Sequence, residues 1–194
     1  MRIAAVILAA GASRRLGQPK QLVRIQSESL LERTLHVVRE AGIDAVFVVL
    51  GAHADRIEAE ADLRDVALVR NAQWETGMAS SIHAGMNAMQ EAMPGAEAVL
   101  LLVCDQVHLT SAHLRRLLEA AKWGAIVASA YEGVPGVPAI LPSHAFPQLM
   151  ELRGDAGARS LLKEDSVIAV DFEDGVIDLD TEEDLRRIAN DPSL

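Results

Sequence analysis

The chain has 194 residues, 50% of them hydrophobic but only 3% aromatic, and carries a formal net charge of −10. That length supports one sizeable core and no linker or charge run divides it, so one domain over residues 1–194 is expected. The acidic balance argues against nucleic acid or an anionic membrane surface as a partner, because neither attracts the chain at long range.

The first run, Ile3-Ala4-Ala5-Val6-Ile7-Leu8, is continuously apolar and β-branched at three positions, which suits a strand buried on both faces of a parallel sheet. The loop that leaves it runs Leu8-Ala9-Ala10-Gly11-Ala12-Ser13-Arg14-Arg15-Leu16-Gly17-Gln18-Pro19-Lys20. Ligands of open α/β sheets bind beyond the carboxyl ends of the strands, where this loop lies. Gly11 allows a tight turn that brings amide N–H groups near an anion. Arg15 can offer a planar fork to phosphate oxygens, and Lys20 adds a point charge. Together they suit a triphosphate. No Gly-Lys-Ser/Thr follows Gly17 and no G-x-G-x-x-G opens a helix, so the loop is neither a P-loop nor a dinucleotide fingerprint.

Farther on, Leu30, Leu31, Leu35 and Val38 recur at helical spacing, Gly42 ends the helix, and an apolar run follows over residues 45–50. This is a β-α-β unit with a right-handed crossover expected. The alternation continues with a short helix at 54–61, a strand at 66–69, a helix at 80–91 and a strand at 98–103. A helix at 111–122 and a strand at 125–130 come next. The final third is less regular: Gly133-Val134-Pro135-Gly136-Val137-Pro138 reads as a turn-rich crossing, 143–150 and 156–162 as helical, 167–170 as strand-like. Thr181-Glu182-Glu183-Asp184 opens a last helix over 181–189 with a capping sequence. With so few aromatics, aliphatic side chains and alanine must fill the core, which favours a doubly wound α/β sheet over a sandwich.

Asp105 follows the buried run that ends in Cys104 and projects toward the same crevice as the Gly11 loop. A carboxylate there can bind Mg²⁺, which takes one or two carboxylates together with phosphates and waters. Asp178 and Asp180, two apart on an extended segment, put a second acidic pair at the start of the last helix. One of them can complete the metal site, or Asp180 or Thr181 can cap the helix. His53, His83, His108 and His113 lack metal spacing, and Cys104 has no partner at ligand spacing, so zinc is not expected. As the one cysteine, Cys104 excludes an internal disulfide and fits a reducing compartment. No run of about 18 apolar residues and no leader with a charged start occurs. Cytoplasmic residence is the expectation.

The stretch L-A-A-G-x-S-x-R-x-G-x-x-K at residues 8–20 resembles the signature of the MobA-like, or molybdopterin-guanylyltransferase, superfamily of small-molecule nucleotidyltransferases. Further stretches resemble its molybdenum cofactor cytidylyltransferase branch: Asn71 to Ser81, Asp105-Gln106, Gly133 to Pro138, and Gly154-Asp155-Ala156-Gly157-Ala158-Arg159. The resemblance implies a three-layer α/β/α, Rossmann-like, mostly parallel sheet. It also implies Mg²⁺-dependent transfer of CMP from CTP to molybdopterin, releasing pyrophosphate. By the same resemblance Arg15, Lys20 and Asp105 are catalytic, and Asp105 with Asp180 holds the metal. Leu8, Ala9, Ala10 and Gly11 bind the nucleotide together with Arg15, Lys20, Asp105, Gly77, Met78, Ser80 and Ser81, while Gly136, Pro138, Asp155 and Arg159 meet the acceptor. Ala-Ala-Gly at 9–11, where the guanylyltransferases carry Ala-Gly-Gly, favours CTP over GTP. Val107 stands where the branch has proline, and Ile140-Leu141 where a phenylalanine is common. These departures leave open another acceptor, such as a sugar or alditol phosphate, or GTP as donor. A monomer making transient contact with a molybdoenzyme or its chaperone is expected.

Overall fold

Alternation within the first strand divides the molecule. In β1 (Ile3–Ala9), Ala5, Ile7 and Ala9 point into one apolar cluster while Ala4 and Val6 point into another, because successive strand residues face opposite ways. The computed structural model describes residues 1–121, 124–163, 166–172, 179 and 181–189. After β1 a small hairpin, β2 (Arg24–Ile25) and β3 (Glu28–Ser29), leads into α1 (Leu30–Glu40). Ser29 and Glu32 close a reciprocal capping box at the start of α1. Then follow β4 (Val46–Leu50), α2 (Ala54–Glu60), β5 (Ala67–Arg70), α3 (Met78–Ala92), β6 (Ala98–Val103) and α4 (Ser111–Ala120). The chain continues through β7 (Val127–Tyr131), β8 (Val134–Pro142), α5 (Phe146–Glu151), β9 (Ile168–Asp171) and α6 (Glu182–Ala189).

Among the described residues, nine strands give one seven-stranded sheet, ordered β5-β4-β1-β6-β8-β7-β9, and the two-stranded hairpin. The strands β5, β4, β1 and β6 run parallel, and β8 is antiparallel to both β6 and β7. One face is covered by α1 and α4, whose Leu31, Leu35, Leu114 and Leu117 are at most 1% exposed. The other is covered by α3 and α5 through Ile82, Met86, Met89 and Leu149. This is the three-layer α/β/α arrangement anticipated from the sequence. Among the described residues no helix is long and apolar enough to cross a membrane.

The segment 133–138 departs from the expected turn-rich crossing. Gly133 sits in a turn at φ +80°, but residues 134–138 form the first half of β8, and the irregularity sits in the register, which jumps from Ala128↔Ala139 to Ser129↔Gly136. Val137 and the cis Pro138 occupy the bulge, where proline needs no ladder donor. The expected helix over 156–162 is a 3-10 segment, Ala158–Lys163. At the last helix, Thr181 N–H donates to Asp184 Oδ2 at 2.8 Å and Asp184 N–H donates to Thr181 Oγ1 at 3.2 Å, which is the expected cap.

The bulge is held from beneath by a buried histidine. Ser129 Oγ donates its single proton to Pro138 O at 2.9 Å, so His113 Nε2–H must donate to Ser129 Oγ at 2.8 Å, leaving Nδ1 unprotonated, buried and unbonded. Its ring stacks on Phe172 at 4.1 Å between centroids. Burial, with Arg116 nearby, lowers the His113 pKa from 6.5 to about 4. Between these values the unfolded chain binds a proton that the folded chain refuses, so stability falls as pH drops from 6.5 toward 4, by about 3 kcal/mol in total. Urea unfolding at pH 7 and pH 4 should show that His113→Asn, which cannot titrate, removes this part of the acid sensitivity. An unchanged pH dependence in the variant would contradict the assignment.

Candidate active site

Parallel pairing places two strand ends level. Leu8 of β1 is in register with Val103 of β6, so the Ala9-Ala10-Gly11 turn and Cys104-Asp105 leave the sheet side by side. Between residues 11 and 20 the chain loops outward around Ser13, whose carbonyl accepts from Leu16 N–H at 3.0 Å and Gly17 N–H at 3.2 Å. Ser13 Oγ accepts from Lys20 N–H at 3.0 Å, which returns the chain to the crevice as a short 3-10 turn, Lys20–Leu22. Lys20 Nζ there donates to Asp105 Oδ2 in an ion pair whose side chains are 19% and 12% exposed. Sequence proximity does not join these groups; the β1–β6 pairing does.

A cleft of about 460 Å³ opens over this pair. Its far wall is the segment 74–78, drawn in by two glycine contacts. A methyl on Gly51 would lie 2.6 Å from Trp74 Cβ and 2.9 Å from Ala10 Cβ, so only glycine lets the tryptophan pack against the turn. Gly77, at φ +112°, lies so close to Gly154 that a methyl would meet its carbonyl carbon and oxygen at 2.3 Å. Ala79 N–H donates to Gly154 O at 3.0 Å across the same seam. Asn71 braces the wall from behind, donating to Ser80 Oγ at 2.8 Å and Ser81 Oγ at 3.0 Å and accepting from Gln73 N–H at 2.9 Å.

Of the residues singled out in the sequence, Leu8, Ala9, Ala10, Gly11, Lys20, Gly77, Met78, Ser81, Asp105 and Asp155 line this cleft. Ser80 lines the neighbouring cleft, behind the seam, and spends its hydroxyl on the carbonyls of Gln73 and Gly77. Arg15 is exposed on the turn outside the lining, where Arg14 takes part instead. Gly136 and Pro138 lie on β8 and Arg159 on the following 3-10 segment, none of them in the cleft wall. Asp178 and Asp180 lie outside the described residues. Gln21, which the sequence reading passed over, and Trp74 and Glu75, which it quoted within Asn71 to Ser81 without a site role, all line the cleft. Trp74 carried a usable signal, one of two tryptophans and set in a polar loop; Gln21 carried none.

The 133–138 segment, which the resemblance would assign to the acceptor, is tied to the Asp105 end of β6. Gln106 Nε2 donates to Tyr131 Oη at 2.6 Å and to Val137 O at 2.9 Å, and Tyr131 Oη donates to Val137 O as well. A methyl on Gly136 would come within 2.8 Å of the Tyr131 ring. The Asp105-Gln106 pair thus fixes one residue in the cleft and anchors the bulge of β8 with the next.

Asp105 Oδ1 is buried and accepts no hydrogen bond, while Oδ2 takes the lysine. An oxygen left in that state suits a hard cation, which accepts one carboxylate when phosphates and waters fill the rest of its shell. Among the described residues no group of three or more His, Cys, Asp or Glu side chains could hold a metal alone. Burial, with the Asp105 charge beside it, pushes the neighbouring Cys104 thiol up to about 12.

Comparison with known proteins agrees with this architecture. The family model for the MobA-like NTP transferase domain matches residues 5–169. The chain belongs to the MobA-like NTP transferase family. Within that nucleotidyltransferase family it is 32% identical over 171 residues to nicotine blue oxidoreductase of Paenarthrobacter nicotinovorans, covering 84% of this chain and 82% of the relative. It is also 32% identical over 162 residues to "Probable molybdenum cofactor guanylyltransferase" of Opitutus terrae, covering 82% and 75%. The solved structure of Rv0371c from Mycobacterium tuberculosis H37Rv superposes with a TM-score of 0.83 at 30% identity, covering 98% of each chain. A manganese complex of the same protein superposes at 0.78 with 29% identity, covering 97% of this MobA-like chain and 98% of that one.

Proposed function

We propose that this enzyme transfers CMP from CTP to the terminal phosphate of molybdopterin, giving the cytosine dinucleotide cofactor and pyrophosphate. The observation that carries the reading is the Lys20–Asp105 pair set beside the Ala9-Ala10-Gly11 turn in one cleft. A turn built for a base and an opposed cation and carboxylate suit the two ends of a nucleoside triphosphate. The acceptor reading is supported by the resemblance of the 133–138 and 154–159 segments and by the relatives named as molybdenum cofactor guanylyltransferases.

An oxygen of the acceptor phosphate attacks the α-phosphorus in line, the bond to the bridging oxygen breaks, and pyrophosphate carries away the electron pair. Alignment and charge stabilisation do the catalysis, with no covalent intermediate. Lys20 supplies its ammonium to the charge that grows on the leaving phosphates, and Arg15 neutralises the triphosphate from the exposed turn. The attacking phosphate is already anionic, so no general base is required. Asp105, with Asp180 by resemblance, would hold Mg²⁺, and the manganese complex of Rv0371c supports a divalent ion. Such an ion, when bound, withdraws charge from the phosphates. Asp155, in the cleft wall, and Arg159, beyond it, are assigned with Gly136 and Pro138 to the acceptor.

Ala10 places a methyl where the guanylyltransferases have glycine, which narrows the space for a purine. With Mg²⁺ and molybdopterin, pyrophosphate release from CTP should exceed that from GTP by at least ~10-fold, the scale on which one methyl discriminates. Faster release from GTP would make the enzyme a guanylyltransferase. No release from either, by protein that binds CTP, would assign another phosphorylated acceptor.

A further inference from the structure

Gln21 is polar, 1% exposed, and lies directly after Lys20 in the 3-10 turn. Its Nε2 donates to Ala9 O at 2.7 Å and to Gly11 O at 3.1 Å. Two carbonyl neighbours fix the amide's orientation, since its oxygen would be repelled in that place. The carbonyl between them, Ala10 O, accepts from Ala52 N–H at 3.0 Å. Every carbonyl of the Ala9-Ala10-Gly11 turn therefore already holds a proton donor.

We propose that Gln21 is a positioning residue that makes the turn a donor-only reader of the base, and that this selects cytosine. The inference rests on the nucleotide reading above. Cytosine presents two adjacent acceptors, N3 and O2, on its pairing edge. Uracil interposes an N3–H between its carbonyls, guanine follows O6 with two donors, and adenine alternates donor and acceptor. On the pairing edge, two consecutive N–H groups match cytosine alone among the four. Gln21 touches no substrate atom in this scheme; it holds the carbonyls of Ala9 and Gly11 in place, so that the peptide units of the turn do not rotate to offer a carbonyl to another base. Its neighbour Lys20 pairs with Asp105, so one turn of three residues fixes both the base reader and the cation at the phosphates.

The test is calorimetric titration of CTP, UTP, GTP and inorganic tripolyphosphate, each with Mg²⁺, into wild type, Gln21→Met and Gln21→Glu, with thermal melting of each variant. Methionine keeps the length without donors; glutamate keeps the shape but sets acceptors against two carbonyls. Wild type should prefer CTP over UTP and GTP. Loss of two net hydrogen bonds should weaken CTP by about 10- to 100-fold in Gln21→Met and at least as much in Gln21→Glu. UTP affinity should change little, and tripolyphosphate, which has no base, should stay within about twofold of wild type. Should Gln21→Met not fold, Gln21→Glu carries the same comparison. A folded variant that keeps the CTP preference overturns the inference alone, as does an equal loss for all four ligands, which would make Gln21 merely structural. A wild type that binds tripolyphosphate but no nucleotide overturns the nucleotide reading as well.

Discussion

Asp105→Asn should lower turnover by about 10³-fold, the scale expected when a group that organises phosphoryl charge is removed. The direction of its effect on nucleotide affinity should depend on the divalent ion. In the native site the Asp105 carboxylate has one oxygen unbonded and the other on Lys20, and in the proposed function it faces the phosphates. Without metal that charge repels a triphosphate, so with chelator present the asparagine variant should bind CTP more tightly than wild type. With Mg²⁺ the order should reverse, because the amide is a far poorer ligand than the carboxylate. Calorimetry with and without chelator reads both signs from one pair of proteins. Equal CTP affinity of the two proteins under both conditions would remove Asp105 from the metal and phosphate site. Lys20→Met should differ with chelator present, weakening CTP under both conditions and leaving a poorly solvated carboxylate behind. It should therefore also cost stability, which Asp105→Asn costs less, since a lysine ammonium can swing to water.

Much of this site could be read before any coordinates, and the reason is topological. A continuous apolar run followed by glycine and cations marks a buried parallel strand and the loop at its carboxyl end, and the second run, ending at Asp105, does the same. Two such ends must lie in one crevice if the strands are neighbours, as β1 and β6 are. The helices came from period-3.6 patterns, and Thr181 and Asp184 gave the last cap correctly. What stayed hidden depends on tertiary pairing. Pro135 and Pro138 argued for a turn, yet β8 accommodates them by slipping register at Val137 and Pro138. Gln21 looks like any polar residue beside a lysine, and only the carbonyls of Ala9 and Gly11 give it a role. The short hairpin of β2 and β3 has two residues in each strand, too few for any period to register. The side of the wall to which Ser80 and Ser81 turn follows from Asn71, nine and ten residues away, and is invisible to spacing alone.

The seam between Gly77 and Gly154 should prove more sensitive than any other glycine position in the cleft. Gly77→Ala brings two penalties: φ at +112° is strained for any L side chain, and the new methyl meets backbone atoms of Gly154 at 2.3 Å, which no rotamer change can relieve. Gly42→Ala supplies the comparison, since Gly42 has φ +89° but nothing within 4 Å of the added carbon. That variant should cost about 1 kcal/mol of stability and nothing in nucleotide affinity. In Gly77→Ala the overlap can be relieved only by parting the two loops, which is a local opening rather than global unfolding. Its melting temperature should therefore fall only a few degrees, about 2–4 °C per kcal/mol for a chain of this size. CTP affinity should fall at least ~10-fold, because parting the loops withdraws Asp155 and the 74–78 segment from the cleft together. Limited proteolysis should show new cleavage near Gly154 that bound CTP suppresses. If Gly77→Ala binds CTP like Gly42→Ala, the seam yields without moving the wall, and the nucleotide is held by the turn and the Lys20–Asp105 end of the cleft alone.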